Sequence, residues 1–189
     1  MKLHRPLGTI FVVVALASSV IAYAAAPKGK PAAGADKAAK VERGAYLVRA
    51  MGCGDCHTPG TLYGAPDFDR LLSGSELGWR GPWGISFARN LTPDSETGIG
   101  YYSEDEIVQA LRTGMKPDGS PMLPPMPWQN LTGLTDADIH AVAAYLLSLK
   151  PVKHEVPKAV PPGQPYSGSV IDMPPPPAWD APRAPAGQH

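Results

Sequence analysis

Five consecutive residues, Cys53-Gly54-Asp55-Cys56-His57, have the types and spacing that could do chemistry. They form the C-x-x-C-H pattern at which a polypeptide attaches a c-type haem. The two thiols add to the two vinyl groups of the porphyrin, and the adjacent His57 then lies beneath the iron as an axial ligand. The chain has 2 cysteines in all, so neither has another disulfide partner in the protein. The motif predicts one covalently bound haem c.

Two other chemistries use paired cysteines at this spacing. A thioredoxin-like dithiol needs a βαβ setting, whereas the sequence is helical before the motif and loop-like after it. A structural zinc site needs a second pair of ligands. The remaining histidines are scattered and show no zinc-ligand spacing: His4, His140, His154 and His189. Haem attachment is favoured, and zinc or dithiol chemistry are the alternatives.

A second axial ligand is usual in an electron-carrying haem, and a methionine thioether is a frequent choice because it raises the reduction potential. Met115, Met122 and Met126 lie far enough beyond the haem motif for the chain to fold over the other haem face. Prolines stand on both sides of Met126 and stiffen its loop. We therefore favour Met126 as the distal ligand, with Met122, which also follows a proline, as the runner-up.

The N-terminal residues 1–26 have the features of an export signal. A positively charged start precedes an uncharged apolar stretch over 7–23, and Ala22-Tyr23-Ala24 fits the small-residue rule for cleavage. The stretch is long for a secretory signal and short for a membrane span. Residues 7–26 are therefore either removed or tether the protein to the inner membrane. Because haem c is attached outside the cytoplasm, we expect the rest of the chain in the periplasm.

Composition divides the remaining chain into three parts. Residues 27–40 are mainly Lys, Ala, Gly and Pro and are predicted to be a flexible linker. Residues 41–150 have the usual size of a single domain. Residues 151–189 hold 11 of the 23 prolines and are predicted to be an extended tail or to wrap over the domain.

The formal net charge of zero conceals an acidic domain. Residues 41–150 contain 8 Lys or Arg and 13 Asp or Glu, a net charge of −5, while residues 27–40 contain 4 Lys and 1 Asp, a net charge of +3. A polyanion would be repelled by such a domain. The charge pattern therefore excludes nucleic acid as an expected partner.

Three helices are predicted around the motif. The first covers 41–51, where apolar residues recur at helical spacing. The second opens at Ser103, which can form a capping box with Glu106, and stops at Gly114. The third opens at Thr135 and ends before Pro151. Residues 68–73 are a candidate for a fourth short helix, and the remainder is rich in glycine and proline with no strand alternation.

The order helix, haem motif, methionine loop and C-terminal helix resembles a class I cytochrome c domain. Several segments narrow the resemblance: NLTPD at 90–94, TGIG at 97–100, ALRTG at 110–114, PDG at 117–119 and MPW at 126–128. They are similar to the cytochrome c domains of electron-accepting subunits of periplasmic dehydrogenases. The resemblance implies a mostly α fold of three to five helices around one covalent haem, with long Gly- and Pro-rich loops.

The resemblance also implies roles for single residues. Cys53 and Cys56 would be the thioether anchors, with His57 as the proximal and Met126 as the distal iron ligand. Two further pairs complete the set. Gly44 and Tyr145 would mark the crossing of the first and last helices, and Asn90 and Trp128 would line the haem pocket.

The pocket residues have a physical reason for their roles. Asn90 can hydrogen-bond a haem propionate or a buried carbonyl, and Trp128 can pack on the porphyrin. Arginines are the usual partners of propionates, and the candidates are Arg70, Arg80 and Arg89.

The expected function is single-electron transfer from a dehydrogenase to an oxidase or another cytochrome, as a carrier without catalytic activity of its own. An iron with both histidine and methionine bound has no open position for a substrate. The alternative is a haem enzyme or a gas-binding sensor whose distal position is open. A third hypothesis is a docking subunit whose proline-rich tail holds a partner.

Overall fold

The computed structural model describes residues 33–173, so the expected export signal or anchor of 1–26 lies outside the described residues. None of the helices within 33–173 is long and apolar enough to cross a membrane. The helices are α1 (Ala33–Ala50), α2 (Cys53–His57), α3 (Glu104–Thr113) and α4 (Asp136–Ser148). The strands are β1 (Gly78–Gly81), β2 (Gly84–Phe87) and β3 (Val170–Asp172), and short 3₁₀ turns lie at Thr61–Tyr63, Phe68–Arg70 and Trp128–Gly133.

Helix α1 begins well before the predicted start at residue 41. The prediction of a flexible linker is therefore wrong for residues 33–40, because alanine and lysine are also strong helix formers. Ion pairs tie this helix to the two helices beside it. Lys40 Nζ lies 2.5 Å from Glu104 Oε1 on α3, and Arg43 Nε lies 2.8 Å from Asp138 Oδ1 on α4.

Helices α1 and α4 cross at Gly44. A Cβ atom at this position would lie 2.0 Å from the backbone oxygen of Ala141 and 2.7 Å from Cβ of Tyr145. Such distances are closer than any side chain permits, so the crossing requires glycine. The predicted contact of the first and last helices through Gly44 and Tyr145 is confirmed.

Helices α3 and α4 begin at the predicted caps. Ser103 Oγ accepts a hydrogen bond from the backbone N–H of Glu106, and the Glu106 carboxylate accepts one from the backbone N–H of Ser103. Gly114, with φ of 69°, ends α3 in the left-handed conformation. Thr135 Oγ1 accepts from the backbone N–H of Asp138 at 3.1 Å and caps α4. Capping chemistry thus fixes both helices locally.

The larger hydrophobic core lies among α1, α3 and α4. Cys53 and Met51 pack at its edge, which connects the haem motif directly to the helical core. Its buried members come from all three helices and from one residue of the intervening loop: Leu47, Val48, Leu72, Ile107, Val142, Ala143 and Leu146.

A three-stranded sheet in the order β2-β1-β3 lies in the Gly- and Pro-rich part of the chain. β1 and β2 form an antiparallel hairpin with Gly78 opposite Phe87, and β3 joins β1 in parallel with Val170 opposite Gly78. The sequence of this part shows no strand alternation, so these short strands were not predicted. β2 is buried at every position, so its sequence shows no alternation between apolar and polar residues.

Residues 151–173, here called the strap, follow α4, pass over the hairpin and end in β3. The backbone groups of Val160 and Ile85 exchange two hydrogen bonds of 2.8 and 2.9 Å. Val156 is buried with Ile85 and Phe87 in a second, smaller core. The strap is therefore packed against the domain along an extended path, while the rest of the tail, from residue 174, lies outside the described residues.

Candidate functional site

The haem motif forms its own short helix, α2, directly after α1. At the end of α1 the backbone N–H of Met51 donates to Leu47 O, and Gly52, with φ of 68°, turns the chain. Only a residue without a side chain adopts this conformation freely. The two thiols and the imidazole are thus presented on one element that is attached to the helical core.

Both cysteine side chains are half-buried and unpaired. Burial raises the pKa of Cys53 and that of Cys56, and the charge of Asp55 acts in the same direction. Redox dithiols and zinc ligands work as thiolates, which a raised pKa disfavours. Among residues 33–173, no three side chains of His, Cys, Asp or Glu gather as a zinc-type site. The thiolates that a redox dithiol or a zinc site needs are therefore disfavoured at these two positions.

The His57 ring is held by the main chain of the loop after β2. Its Nδ1 lies 2.7 Å from the carbonyl oxygen of Arg89, to which it donates. Burial lowers the pKa of His57, while the hydrogen bond to Arg89 opposes this shift. The ring is thus favoured in its neutral form, with Nε2 as the nitrogen that carries the free lone pair. A neutral imidazole with one free nitrogen is what an axial iron ligand requires.

These side chains fit haem c. Two free thiols separated by two residues can form the two thioether bonds, and the oriented imidazole of the next residue can ligate the iron. All three groups lie on the single short helix α2.

The predicted distal ligand lies in the methionine loop, residues 115–127, between α3 and the turn Trp128–Gly133. The backbone N–H of Met122 donates to Gly114 O at 2.7 Å, and that of Met126 donates to Leu123 O at 3.3 Å. Both methionine side chains are half-buried, whereas Met115 is 44% exposed. The choice of Met126 over Met122 stays a prediction.

Trp128 packs against the end of α3. A Cβ atom added at Gly114 would lie 2.3 Å from the indole ring, so the ring occupies the space that the glycine leaves open. The side chain is half-buried. Its place in the haem pocket stays a prediction, while its packing links the methionine loop to α3.

Asn90 is buried, and its polar atoms are bonded within the protein. Its Nδ2 donates to Thr97 Oγ1 at 3.1 Å and to Val152 O at 2.8 Å, and its Oδ1 accepts from the backbone N–H and the hydroxyl of Thr92. Of the two roles that the sequence suggests for Asn90, these contacts are those of the buried-carbonyl role. Asn90 thus joins its loop to the first residues of the strap.

The three candidate arginines also have protein partners. Arg70 pairs with Asp67, and Arg80 pairs with Asp172 on β3. Arg89 donates from one guanidinium nitrogen to the carbonyl oxygens of Val156 and Pro157 in the strap. The backbone of Arg89 therefore contacts the haem motif, while its side chain contacts the strap.

Two contacts of the site have no signal in the sequence. One is the carbonyl of Arg89, and the other is Ser86 on β2, whose hydroxyl donates to the carbonyl oxygen of Pro124 in the methionine loop. A carbonyl acceptor leaves no signature in a sequence because every residue has one. Ser86 stands in a short strand that is buried throughout, so no periodicity marked it.

Comparison with known proteins places these features in a family. The family model described as Cytochrome c matches residues 41–150. A subunit of the nicotinate dehydrogenase of Pseudomonas putida is 35% identical over 137 residues, which cover 70% of this chain and 10% of that protein. The cytochrome c subunit of the quinone alcohol dehydrogenase of Gluconobacter oxydans is 37% identical over 115 residues, covering 60% of this chain and 22% of that protein.

A third relative shows how far the likeness extends. The fructose dehydrogenase cytochrome subunit of Gluconobacter japonicus is 32% identical over 159 residues, which cover 84% of this chain and 31% of that protein. The chain thus spans a third or less of each of these relatives. The family match takes in the haem motif, the crossing at Gly44 and both α3 and α4. This chain therefore belongs to the cytochrome c family, which implies haem c and a role in electron transfer.

Proposed function

We propose that this chain is a monohaem c-type cytochrome that carries single electrons in the periplasm, from a dehydrogenase towards a respiratory chain. The observation that carries the proposal is the 2.7 Å hydrogen bond between His57 Nδ1 and Arg89 O. It orients the imidazole and leaves the other nitrogen free, on a helix whose two thiols are unpaired. A single C-x-x-C-H in the printed sequence supports one haem.

The proposed ligand set follows from the haem motif and the methionine loop. Cys53 and Cys56 hold the porphyrin, His57 is the proximal ligand, and Met126 is the distal ligand with Met122 as the runner-up. Bound haem supplies a one-electron couple at the iron. The protein keeps the imidazole neutral, excludes water and fixes the ligands.

Two further residues belong to the proposed haem pocket. Trp128 lines it next to the methionine loop, where its ring packs on the end of α3. Asn90 stabilises the residues behind the proposed pocket by its hydrogen bond to Val152 O. In this proposal it does not bind a haem propionate. Both residues thereby tie the proposed pocket to the helices and the strap.

A dehydrogenase is the proposed electron donor, and an oxidase or another cytochrome is the proposed acceptor. Support for the donor comes from the relatives whose names describe subunits of nicotinate, alcohol and fructose dehydrogenases. The net charge of −5 over residues 41–150 favours docking on a basic surface. No substrate reaches the iron in this proposal, because both axial positions are taken.

Periplasmic location is proposed from the haem chemistry and the N-terminal sequence. Residues 7–26 are uncharged and follow a basic start, which suits either a removed signal or a tether to the inner membrane. Either arrangement would leave the haem domain on the outer side, where the thioether bonds are made.

The test compares the full chain with two methionine variants after export with haem attachment. The mass of the intact protein and a reductive titration should give one haem and one electron per chain. Met126→Ala should abolish the red absorption band of thioether-ligated ferric haem, lower the reduction potential and open the ferrous iron to carbon monoxide. Loss of a sulfur ligand that favours ferrous iron is the reason for all three changes.

Met122→Ala is the matched control, since it removes an equal side chain from the same loop. It should leave the band in place at a modest cost in stability. An exchange of the two phenotypes would move the distal ligand to Met122. Free binding of carbon monoxide by the unaltered chain would replace the carrier with a haem enzyme or a gas sensor.

A further inference from the structure

The segment 86–89 contacts both sides of the proposed haem site. At its start, Ser86 Oγ donates to the carbonyl oxygen of Pro124, two residues before Met126. At its end, Arg89 O accepts from His57 Nδ1. We propose that Ser86 is a positioning residue for the distal ligand Met126, acting through Pro124. This inference rests on the proposed function, because it needs Met126 at the iron.

The methionine loop has few hydrogen-bond donors of its own. Pro124, Pro125 and Pro127 lack a backbone N–H, which leaves the N–H of Met126 as the one backbone donor between residues 124 and 127. That donor closes a turn onto Leu123 O at 3.3 Å. A loop of this composition therefore depends on donors from other segments, which bind its carbonyl groups. The hydroxyl of Ser86 is such a donor.

The direction of the Ser86 hydroxyl is fixed by Trp83. The indole Nε1–H of Trp83 lies 3.2 Å from Ser86 Oγ. An indole nitrogen can only donate, so the serine oxygen must accept from it and direct its own proton to Pro124 O. The chain Trp83, Ser86, Pro124 thus runs one way, and each group in it strengthens the next.

The strand that carries Ser86 is firmly held. Ile85 exchanges two backbone hydrogen bonds with Val160 of the strap, and β2 pairs with β1 along its full length. Ser86 itself is 7% exposed. A polar side chain on a fixed strand can position a neighbouring loop more accurately than one on another loop.

The expected effect is a shift in how often the thioether leaves the iron. Losing a hydrogen bond between neutral groups changes an equilibrium by roughly two- to tenfold. Ser86→Ala should raise the fraction of ligand-free iron by that factor. The apparent affinity of the ferric protein for added imidazole should rise equally, because imidazole binds only when the methionine is off.

In the first measurement, imidazole is titrated into the exported, haem-loaded chain and its variants. In the second, each protein is heated while the red absorption band and the far-ultraviolet circular dichroism of the helices are recorded together. Ser86→Ala should bind imidazole two- to tenfold more tightly and lose the band at a lower temperature than the helices melt. Trp83→Phe keeps the hydroxyl but removes its donor, so it should shift both readings in the same direction by less.

Ser75→Ala is the matched control. Ser75 is also 7% exposed, and its Oγ accepts from the backbone N–H of Leu77, two residues further along its own segment. Ser75→Ala should lower the temperature at which the red band is lost and the temperature at which the helices unfold by the same amount. The affinity for imidazole should stay unchanged. If Ser86→Ala and Ser75→Ala bind imidazole equally tightly, Ser86 does not position Met126, while the proposed function is unaffected. A wild-type protein without the red band would overturn Met126 ligation and, with it, this inference.

Discussion

The two halves of the described chain differ in how they relate to the haem motif. The helical half, made of α1, α2, α3 and α4, contains the cysteines and the histidine. The sheet half, made of residues 78–89 and the strap, contains neither cysteine. It nevertheless contacts the imidazole through Arg89 O and the methionine loop through Ser86. The haem motif and the contacts that hold its imidazole and the methionine loop therefore come from different parts of the fold.

The largest loss of stability is expected from a substitution at Gly44, where α1 and α4 are in closest contact. Gly44→Val places side-chain atoms where a Cβ would already be 2.0 Å from Ala141 O. Overpacking of this kind should lower the free energy of unfolding by about 3 kcal/mol. Urea denaturation of the haem-loaded chain measures it.

A glycine elsewhere on the same helix is the control. Gly34 has nothing within 4 Å of a built Cβ, so Gly34→Ala should be neutral or stabilising by up to about 1 kcal/mol. If both substitutions proved neutral, the helix crossing would not be the point that limits the helical half.

A pair of equal truncations compares the halves directly. Val156 in the strap is 2% exposed and Val142 in α4 is 3% exposed. Each change to alanine should cost about 2 kcal/mol, from lost transfer energy and the cavity left behind. Val156→Ala should also speed amide hydrogen exchange at Ile85 and Val160 more than in α4, because the strap has few contacts to replace those lost.

Hydrogen exchange followed residue by residue checks this second prediction. Val142→Ala should speed exchange in α1 and α4 first, since both contribute to its core. A uniform increase across both halves in both variants would show that they open as one unit.

The smallest effect concerns the cap of α3. The N–H and hydroxyl of Ser103 hold the pKa of Glu106 below its usual range. The charged carboxylate therefore stabilises the fold above the pKa of an unfolded glutamate, and this contribution is lost as the pH falls through the lowered value. Glu106→Gln should therefore lower stability slightly at neutral pH and flatten its decline in acid, because the neutral amide lacks the pH-dependent contribution.

Thermal unfolding across acidic pH tests the cap, with Ser103→Ala for comparison. Ser103→Ala should also reduce stability at neutral pH, by about 1 kcal/mol. If the stability of Glu106→Gln declined with falling pH as steeply as that of the wild type, the Glu106 carboxylate would not be the source of this decline. The sheet half should be unaffected by either change, because the capping box is a local contact.

Local signals explain why the helices were predictable. Ser103, Thr135 and Gly114 satisfy the first and last backbone groups of α3 and α4, and such caps depend on residues a few positions apart. The haem motif is equally local, since its chemistry lies in five adjacent residues. The fold class could therefore be predicted from the sequence alone, and the proposal that Cys53 and Cys56 anchor the haem rests on the same kind of local signal.

Long-range pairing explains what the sequence did not predict. β3 joins β1 across about ninety residues of chain, and short strands leave little periodicity to read. The helical start at Ala33 was missed for another reason, because a Lys- and Ala-rich segment suits both a linker and a helix. Within the missed residues, Lys40 makes the ion pair with Glu104 that ties this part of the helix to α3.

The contact that holds His57 and the contact that holds the methionine loop differ in how easily a mutation removes them. Arg89 reaches His57 with a main-chain carbonyl, which every amino acid possesses, so a point mutation there can loosen the strap while the acceptor stays in place. Ser86 reaches the methionine loop with a hydroxyl, which one codon change removes. Under the proposed role of Ser86, variation in redox behaviour among chains that share this architecture should therefore gather at position 86 rather than at position 89.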